Sequence, residues 1–232
     1  MTIKIFADGA NLKEIELLAA DERISGFTTN PTLMRSCGVD NYQKFAADAI
    51  AIVGSKPISF EVFSDDLKVM YDQAIKIASW GKNVYVKIPI SNTQSEPTLQ
   101  LISQLTNEGV RVNVTAVFTI EQISQAAEAL VGTMGSNISV FAGRIADTGR
   151  DPAFYISHAV SITKNLNNCE IIWASPREVL NVSQANNLGC HAITMTPALI
   201  EKLRYVDKDL QLFSLETVKM FYQDGKSAGF VI

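Results

Sequence analysis

Eight short runs of β-branched and aromatic residues recur along the chain: "IKIFAD", "GFTTN", "ISFEVF", "VYVKIP", "VRVNVTAVF", "ISVFAGRI", "EIIWAS" and "AITMTP". Longer stretches separate them, among them "NYQKFAADAIAIV", "DLKVMYDQAIKIASW", "TLQLISQLTNEG" and "IEQISQAAEALVG". Their apolar positions recur at helical spacing, and most end at glycine before the next strand. Eight alternating strand and helix units predict an α/β fold of one kind, the (β/α)8 barrel. The nearest alternative, an open doubly wound sheet, usually carries a glycine-rich phosphate loop after its first strand. Here that position reads "DGANLKE", which is neither GxGxxG nor a Walker A loop.

No linker, low-complexity tract or charge block divides the 232 residues, so a single domain over 1–232 is expected. After the eighth strand, "PALIEKLRY" and "SLETVKMFYQDGKSAGF" read as one barrel helix and a C-terminal helical extension over about 205–232. Such an extension can cover a barrel end or pack on a neighbouring subunit.

Composition narrows the function classes. With 47% hydrophobic and 19% charged residues the chain can bury a sizeable core. The net charge is −4, and Lys and Arg are scattered, so neither a nucleic acid nor a membrane surface is expected as partner. No apolar run reaches the length of a membrane span, and "MTIKIFADGAN" enters a strand without a leader-like pattern, which reads as a soluble cytoplasmic protein. Three cysteines, Cys37, Cys169 and Cys190, lack CxxC spacing and argue against a disulfide framework or a zinc site. With two histidines, His158 and His191, a metal centre would rest on carboxylates; "Cys190-His191" reads as the lead-in to a strand.

One parity of each barrel strand faces the helices and the other the interior. In "VYVKIP", Val84, Val86 and Ile88 form the outward row, leaving Tyr85 and Lys87 inward. The same reading turns Phe6 and Asp8 inward on strand one, Ser59 and Glu61 on strand three, and Asn113 and Thr115 on strand five. It also turns in Ser139 and Phe141 on strand six, Trp173 and Ser175 on strand seven, and Thr194 and Thr196 on strand eight. Polar residues thus gather on the inward row near the C-terminal strand ends, the face where barrel enzymes place their chemistry.

Each of these residues has a structural reading beside the functional one. Lys87 is either a working group or one half of a buried ion pair with Asp8 or Glu61, an arrangement that adds little net stability. Asn30, Ser175 and Thr196 each precede a proline and fit helix N-caps, "SPRE" with capping-box spacing. Phe141 and Trp173 fit core positions, and Arg144, where strand six gives way to glycine, fits a solvated side chain.

The chemistry open to the inward set is narrow. A lysine desolvated in a barrel can lose its proton, attack a carbonyl and form a Schiff base that serves as electron sink for carbon–carbon cleavage. Nearby carboxylates then move protons. Asn, Ser and Thr suit a polyhydroxylated substrate, and Arg144 and Arg177 at strand ends suit a phosphate. Serine–histidine catalysis is disfavoured, since neither histidine sits at a strand end.

The motifs "FADGAN", "GFTTNPTL", "VKIP", "NVTAVFT", "FAGRIADTGRDP", "WASPREV" and "TMTPALI" occur in the order and spacing of the transaldolases. The chain resembles in particular the small subfamily that includes the fructose-6-phosphate aldolases. The resemblance runs over essentially the whole chain and implies a (β/α)8 fold with class I aldolase chemistry, without metal or organic cofactor. It makes Lys87 the Schiff-base lysine and Asp8 the acid/base at the substrate hydroxyl, with Glu61 and Thr115 holding a catalytic water. Asn30, Asn113 and Ser139 then contact the dihydroxyacetone unit, Phe141 lines the site, and Arg144, Ser175 and Arg177 lie at the phosphate end. Simple aldolases of the subfamily tend to carry glutamine in place of Glu61 and tyrosine in place of Phe141, so this chain resembles the transaldolases proper. The resemblance further implies sugar phosphates of the pentose phosphate pathway as substrates and a pentamer-based homo-oligomer, commonly a decamer.

Overall fold

A computed structural model of the chain describes residues 3–132, 135–166 and 168–230. Eight parallel strands close into a barrel in chain order: β1 (Lys4–Asp8), β2 (Ile24–Thr28), β3 (Ile58–Glu61), β4 (Val84–Pro89), β5 (Val112–Val117), β6 (Ser136–Val140), β7 (Cys169–Trp173) and β8 (Ala192–Met195). The helices between them are α1 (Leu12–Ala19), α2 (Pro31–Ser36), α3 (Tyr42–Val53), α4 (Leu67–Ala78), α5 (Leu99–Asn107) and α6 (Ile120–Ala129). They continue with α7 (Ala142–Asp147), α8 (Ala153–Thr163), α9 (Leu180–Asn187), α10 (Pro197–Glu201) and α11 (Leu210–Ser227). This is the (β/α)8 barrel that the sequence pattern predicts, followed by C-terminal helices.

Two compact units divide the chain, Met1–Ile200 and Glu201–Ile232. The first holds the whole barrel. Its outward rows are aliphatic: Val84, Val86 and Ile88 of β4 are all buried against the helices, as are Val112 and Val114 of β5. Five of its helices start where the sequence supplies a side-chain cap. Asn11, Asn30, Asn41 and Asp66 each accept a backbone N–H of the first turn, and Thr119 with Gln122 forms a full capping box on α6. The second unit is a 3-10 turn (Lys202–Tyr205) and α11, held locally by stacked Tyr205 and Phe213 rings at 5.4 Å and by the Lys208–Glu216 ion pair. No residue of α11 is buried.

Inside the barrel the composition changes along the axis. An apolar layer of Phe6, Ile172 and Ala192 lies across the middle, with Gly26 giving room to the Phe6 ring: a Cβ there would sit 2.9 Å from two ring carbons. Above it, toward the C-terminal strand ends, the interior turns polar, with Ser59, Glu61, Lys87, Asn113, Ser139 and Thr194 all buried. Paired register keeps these side chains on one row, Glu61 opposite Lys87 and Lys87 opposite Asn113.

The structure corrects three readings. Ser139 is paired with Ile172, so Ile172 takes the inward row of β7 and Trp173 faces the helices. Strand six ends at Val140, and "AGRIAD" forms α7, so Arg144 is a helical residue instead of the end of a strand. Ser175 does not cap a helix: its φ is +60°, α9 begins only at Leu180, and the Asn181 side chain accepts the N–H groups of Arg177 and Glu178 in its place. Thr196 heads α10 through its carbonyl, which accepts from Leu199 and Ile200.

Candidate active site

Lys87 is 7% exposed near the C-terminal end of β4, and its ammonium has two partners. Nζ lies 2.5 Å from Glu61 Oε1 and donates to the Thr29 carbonyl at 2.6 Å. Glu61 lies at the last position of β3, and its second oxygen, Oε2, accepts from the Thr29 hydroxyl at 3.0 Å. Tyr42 of α3 donates its phenol to the Glu61 carbonyl at 2.9 Å and packs among Phe60, Phe63 and Trp80, which fixes the end of β3 from outside the barrel. Burial drives the Glu61 carboxyl above its ordinary value; the Lys87 charge and the Lys87 and Thr29 hydrogen bonds oppose this, and the nearby Asp8 charge adds to it.

Asp8 ends β1, and both its oxygens are taken. Oδ1 accepts from the Thr28 hydroxyl at 2.8 Å and Oδ2 from the Asn30 carboxamide at 3.2 Å. Thr28 meets the Thr194 hydroxyl at 2.5 Å, so a Thr28 that donates to Asp8 accepts from Thr194. Burial raises the Asp8 carboxyl as well, against the pull of Lys87 and of the two hydrogen bonds. Asn30 is also the N-cap of α2, its Oδ1 accepting from the Leu33 N–H at 2.9 Å.

A third group lies on neighbouring strands. The Asn113 amide donates to Ser59 Oγ at 3.2 Å and its carbonyl accepts from Ser139 at 2.8 Å, which fixes the amide orientation. Thr115, buried on β5 two residues before its end, has a hydroxyl without a hydrogen-bond partner among the described residues. Directly after it the strand bulges: the β5–β6 register shifts between Val114 and Val117, and Ala116 sits at φ +57°. Bulges and left-handed residues of this kind concentrate at sites where a side chain must be aimed.

The predicted phosphate end forms a separate surface cluster. Arg144 is exposed on α7, its guanidinium 5.4 Å from the centre of the Phe141 ring, and that ring lies 5.4 Å from Phe118. Arg177 is exposed and pairs with Asp147 through two contacts, one of them Nε to Oδ1 at 3.0 Å. Gly143 joins α7 to the segment after β7, its N–H donating to the Ala174 carbonyl at 3.3 Å. Ser175 lies at that junction, half-buried.

The structure therefore gathers Lys87, Glu61, Asp8 and Asn30 around one point. It links Asn113 with Ser139 beside them and leaves Arg177 tied to Asp147. The sequence reading missed Thr28 and Thr29, which touch Asp8 and the Lys87–Glu61 pair, and Asp147. Among other nucleophiles, Cys190 is buried and its thiol is pushed up to about 12, and Cys169 to about 11, both chiefly by burial. Among the described residues no three His, Cys, Asp or Glu side chains are grouped to hold a metal ion.

A closed (β/α)8 barrel with a buried lysine–glutamate pair at its C-terminal strand ends has its polar interior on the face where barrel enzymes place their chemistry. Residues 5–230 match the model of one family, described as "Transaldolase/Fructose-6-phosphate aldolase". The chain belongs to that family. It is 35% identical over 196 residues to a "Probable transaldolase" of Dehalococcoides mccartyi, covering 83% of this chain and 86% of that one. A "Probable transaldolase" of Thermoanaerobacter sp. is 34% identical over 232 residues, 99% of this chain and 100% of the relative. Among solved structures, a 2,3-dimethylmalate lyase superposes with a TM-score of 0.55 at 10% identity, covering 99% of this chain and 84% of its own. A flavocytochrome b2 mutant superposes at 0.56 and 15% identity, covering 85% of this chain, which spans 57% of the flavocytochrome's length. At such identities the likeness is one of fold.

Proposed function

We propose that the protein is a transaldolase. It takes a dihydroxyacetone unit from a ketose phosphate such as fructose 6-phosphate or sedoheptulose 7-phosphate. It passes the unit to an aldose phosphate, erythrose 4-phosphate or glyceraldehyde 3-phosphate, as the pentose phosphate pathway requires. The observation that carries this reading is the Lys87 ammonium, buried in the barrel and 2.5 Å from a carboxylate whose own proton affinity is raised. A buried ion pair adds little stability over an apolar pair, whereas an acceptor in contact with the ammonium is what a Schiff-base lysine needs.

In the first step Glu61 takes a proton from Lys87, and the free amine attacks the ketose carbonyl carbon. The nitrogen passes a second proton to the alkoxide, giving the carbinolamine; Glu61 then returns its proton to the carbinolamine hydroxyl, which leaves as water beside the Thr115 hydroxyl. The iminium draws electrons from the adjacent carbon–carbon bond while Asp8 takes the proton of the hydroxyl beyond it, releasing an aldose phosphate. The raised carboxyl of Asp8 suits a group that must both accept and return that proton. The acceptor aldehyde is attacked by the retained three-carbon unit, Asp8 supplies a proton, and hydrolysis of the new imine frees Lys87. Asn30, Asn113 and Ser139 hold the hydroxyls, Phe141 lines the site, and Arg144, Ser175 and Arg177 receive the phosphate. The iminium is itself the electron sink, so the chemistry needs neither a metal nor an organic cofactor.

We further propose a cytoplasmic homo-oligomer, a pentamer or decamer, built of single-domain barrels whose C-terminal extension meets a neighbour. The exposed apolar side chains of α11, among them Leu215, Met220 and Phe221, support that reading. The test of function is to supply fructose 6-phosphate and follow glyceraldehyde 3-phosphate with and without erythrose 4-phosphate. Acceptor-dependent release with a seven-carbon product is the transaldolase outcome, equal release without acceptor the aldolase outcome. Absence of release in both overturns the reading.

A further inference from the structure

Thr29 touches both members of the Lys87–Glu61 pair, and it is completely buried. Its backbone carbonyl accepts the Lys87 ammonium at 2.6 Å. Its hydroxyl lies 3.0 Å from Glu61 Oε2 and 2.9 Å from the Ser59 carbonyl. A hydroxyl carries one proton, so it serves one of these acceptors at a time. We infer that Thr29 is a positioning residue whose hydroxyl moves between Glu61 and the Ser59 carbonyl as Glu61 gives up and takes the Lys87 proton. This rests on the imine reading of Lys87.

The exchange balances atom by atom. While Glu61 is ionised, the Thr29 O–H donates to Oε2. When an N–H bond of Lys87 breaks and an O–H bond forms on Glu61, the carboxyl has lost its charge and the Thr29 hydrogen turns to the Ser59 carbonyl. When Glu61 gives the proton to the carbinolamine oxygen, water leaves and the Thr29 hydrogen returns to the carboxylate. Neither form of Glu61 then strands a buried donor, the omission that makes buried polar groups costly. The titratable groups facing Glu61 are Lys87 from β4, Asp8 from β1 and Tyr42 of α3, the last through the Glu61 carbonyl. The Thr29 hydrogen bond is among the influences that hold Glu61 down against burial. Because the contact to Lys87 is made by the backbone, replacing the side chain removes the hydroxyl's contacts to Glu61 and to the Ser59 carbonyl and leaves the Lys87 contact in place.

The experiment follows the rate at which fructose 6-phosphate and borohydride fix mass on Lys87, across pH, in wild type, Thr29→Val and Thr29→Ser. Valine fills the space without the hydroxyl. Without its donor Glu61 is harder to ionise, so the acidic limb of the Thr29→Val profile is expected about one pH unit higher, with about tenfold slower trapping below that limb. Thr29→Ser keeps the hydroxyl and is expected to keep the wild-type limb. Thr29→Ala replaces the valine variant if the latter does not fold. A limb left in place with a uniformly lower rate, or a serine variant that shifts as valine does, overturns the proposal. Absence of any adduct in wild type overturns the imine reading beneath it.

Discussion

Lys87 and Glu61 are register partners on adjacent strands, and their charged tips meet at 2.5 Å inside the barrel. Removing either tip therefore tests the site directly. Lys87→Met leaves Glu61 buried without its cation, and because burial already raises that carboxyl it takes up a proton instead of staying charged. The barrel is expected to fold with a loss of about 1–3 kcal/mol, below the usual cost of an orphaned buried charge. Borohydride adduct formation is expected to vanish. Glu61→Gln keeps the lysine and the space but removes the proton acceptor, so trapping should persist at a rate lower by about 10²-fold or more. Mass spectrometry of the reduced protein with thermal unfolding distinguishes the two; an adduct at an unchanged rate in Glu61→Gln would remove Glu61 from the mechanism.

Asp8 and Glu61 also tie stability to pH. Both carboxyls have folded-state values raised above the ordinary 3.8 and 4.5, so the folded chain binds more protons than the unfolded chain between each ordinary value and its raised one. Their contribution is complete below the ordinary values and is lost as pH rises through the raised ones, at up to about 1.4 kcal/mol per pH unit for each group. Asp8→Asn keeps an acceptor for Thr28 and removes one of the two titrations. The decline of thermal stability with rising pH above about 4 is expected to be shallower in Asp8→Asn than in wild type, while turnover is lost. Equal slopes would mean that Asp8 is not raised.

The fold and most of this site were legible because the strands that carry it alternate cleanly. In β4 every second residue from Val84 to Ile88 is aliphatic, so Lys87 can face only inward. In β7, Ile171, Ile172 and Trp173 are all apolar, so period-2 reading has no contrast by which to choose a face, and it turns Trp173 inward where the register turns in Ile172. Thr28 and Thr29 escaped for a related reason. "GFTTN" begins two residues after the true start of β2 at Ile24, and its glycine on the inward row gives no parity signal. The sequence places Arg144 at a strand end because α7 is six residues long and its N-cap residue, Phe141, provides no side-chain cap. Ser175 fitted a cap by composition, and only the left-handed turn of the chain there shows otherwise.

Gly143 has no room for a side chain. A Cβ built on it would lie 1.5 Å from the Ser175 carbonyl oxygen, a backbone atom that can yield only if the segment after β7 moves. Gly143→Ala is expected to destabilise the barrel by about 3 kcal/mol or more and to raise KM for phosphorylated substrates, because Arg144 and Ser175 flank the displaced contact. Thermal unfolding and kinetics with fructose 6-phosphate check this; a variant of unchanged stability would mean that this approach is looser than it stands here.

Arg177 is held by Asp147 at the surface, and exposed pairs of this kind contribute about 0–1 kcal/mol. Asp147→Asn should therefore leave stability nearly unchanged and free the guanidinium. If Arg177 receives the substrate phosphate, KM for fructose 6-phosphate is expected to fall about two- to fivefold in Asp147→Asn, and to rise in Arg177→Ala. Salt should narrow the difference between Asp147→Asn and wild type, since added ions screen an exposed charge. A KM indifferent to both substitutions would remove Arg177 from the phosphate end.

If Phe141 lines the site as proposed, its lack of a hydroxyl bears on whether water can compete with the acceptor sugar. Its ring lies 5.4 Å from the Phe118 ring and 5.4 Å from the Arg144 guanidinium, and offers neither of them nor the solvent a polar atom. A phenol in its place would add a donor and acceptor by which a water could be held for hydrolysis of the imine. Phe141→Tyr is therefore expected to raise glyceraldehyde 3-phosphate release in the absence of erythrose 4-phosphate by about tenfold, with free dihydroxyacetone as co-product. Transfer to the acceptor should fall in step, since both routes draw on the same imine at Lys87. An unchanged ratio of release to transfer would mean that water already reaches the imine in the wild-type enzyme, and the protein would then act as an aldolase.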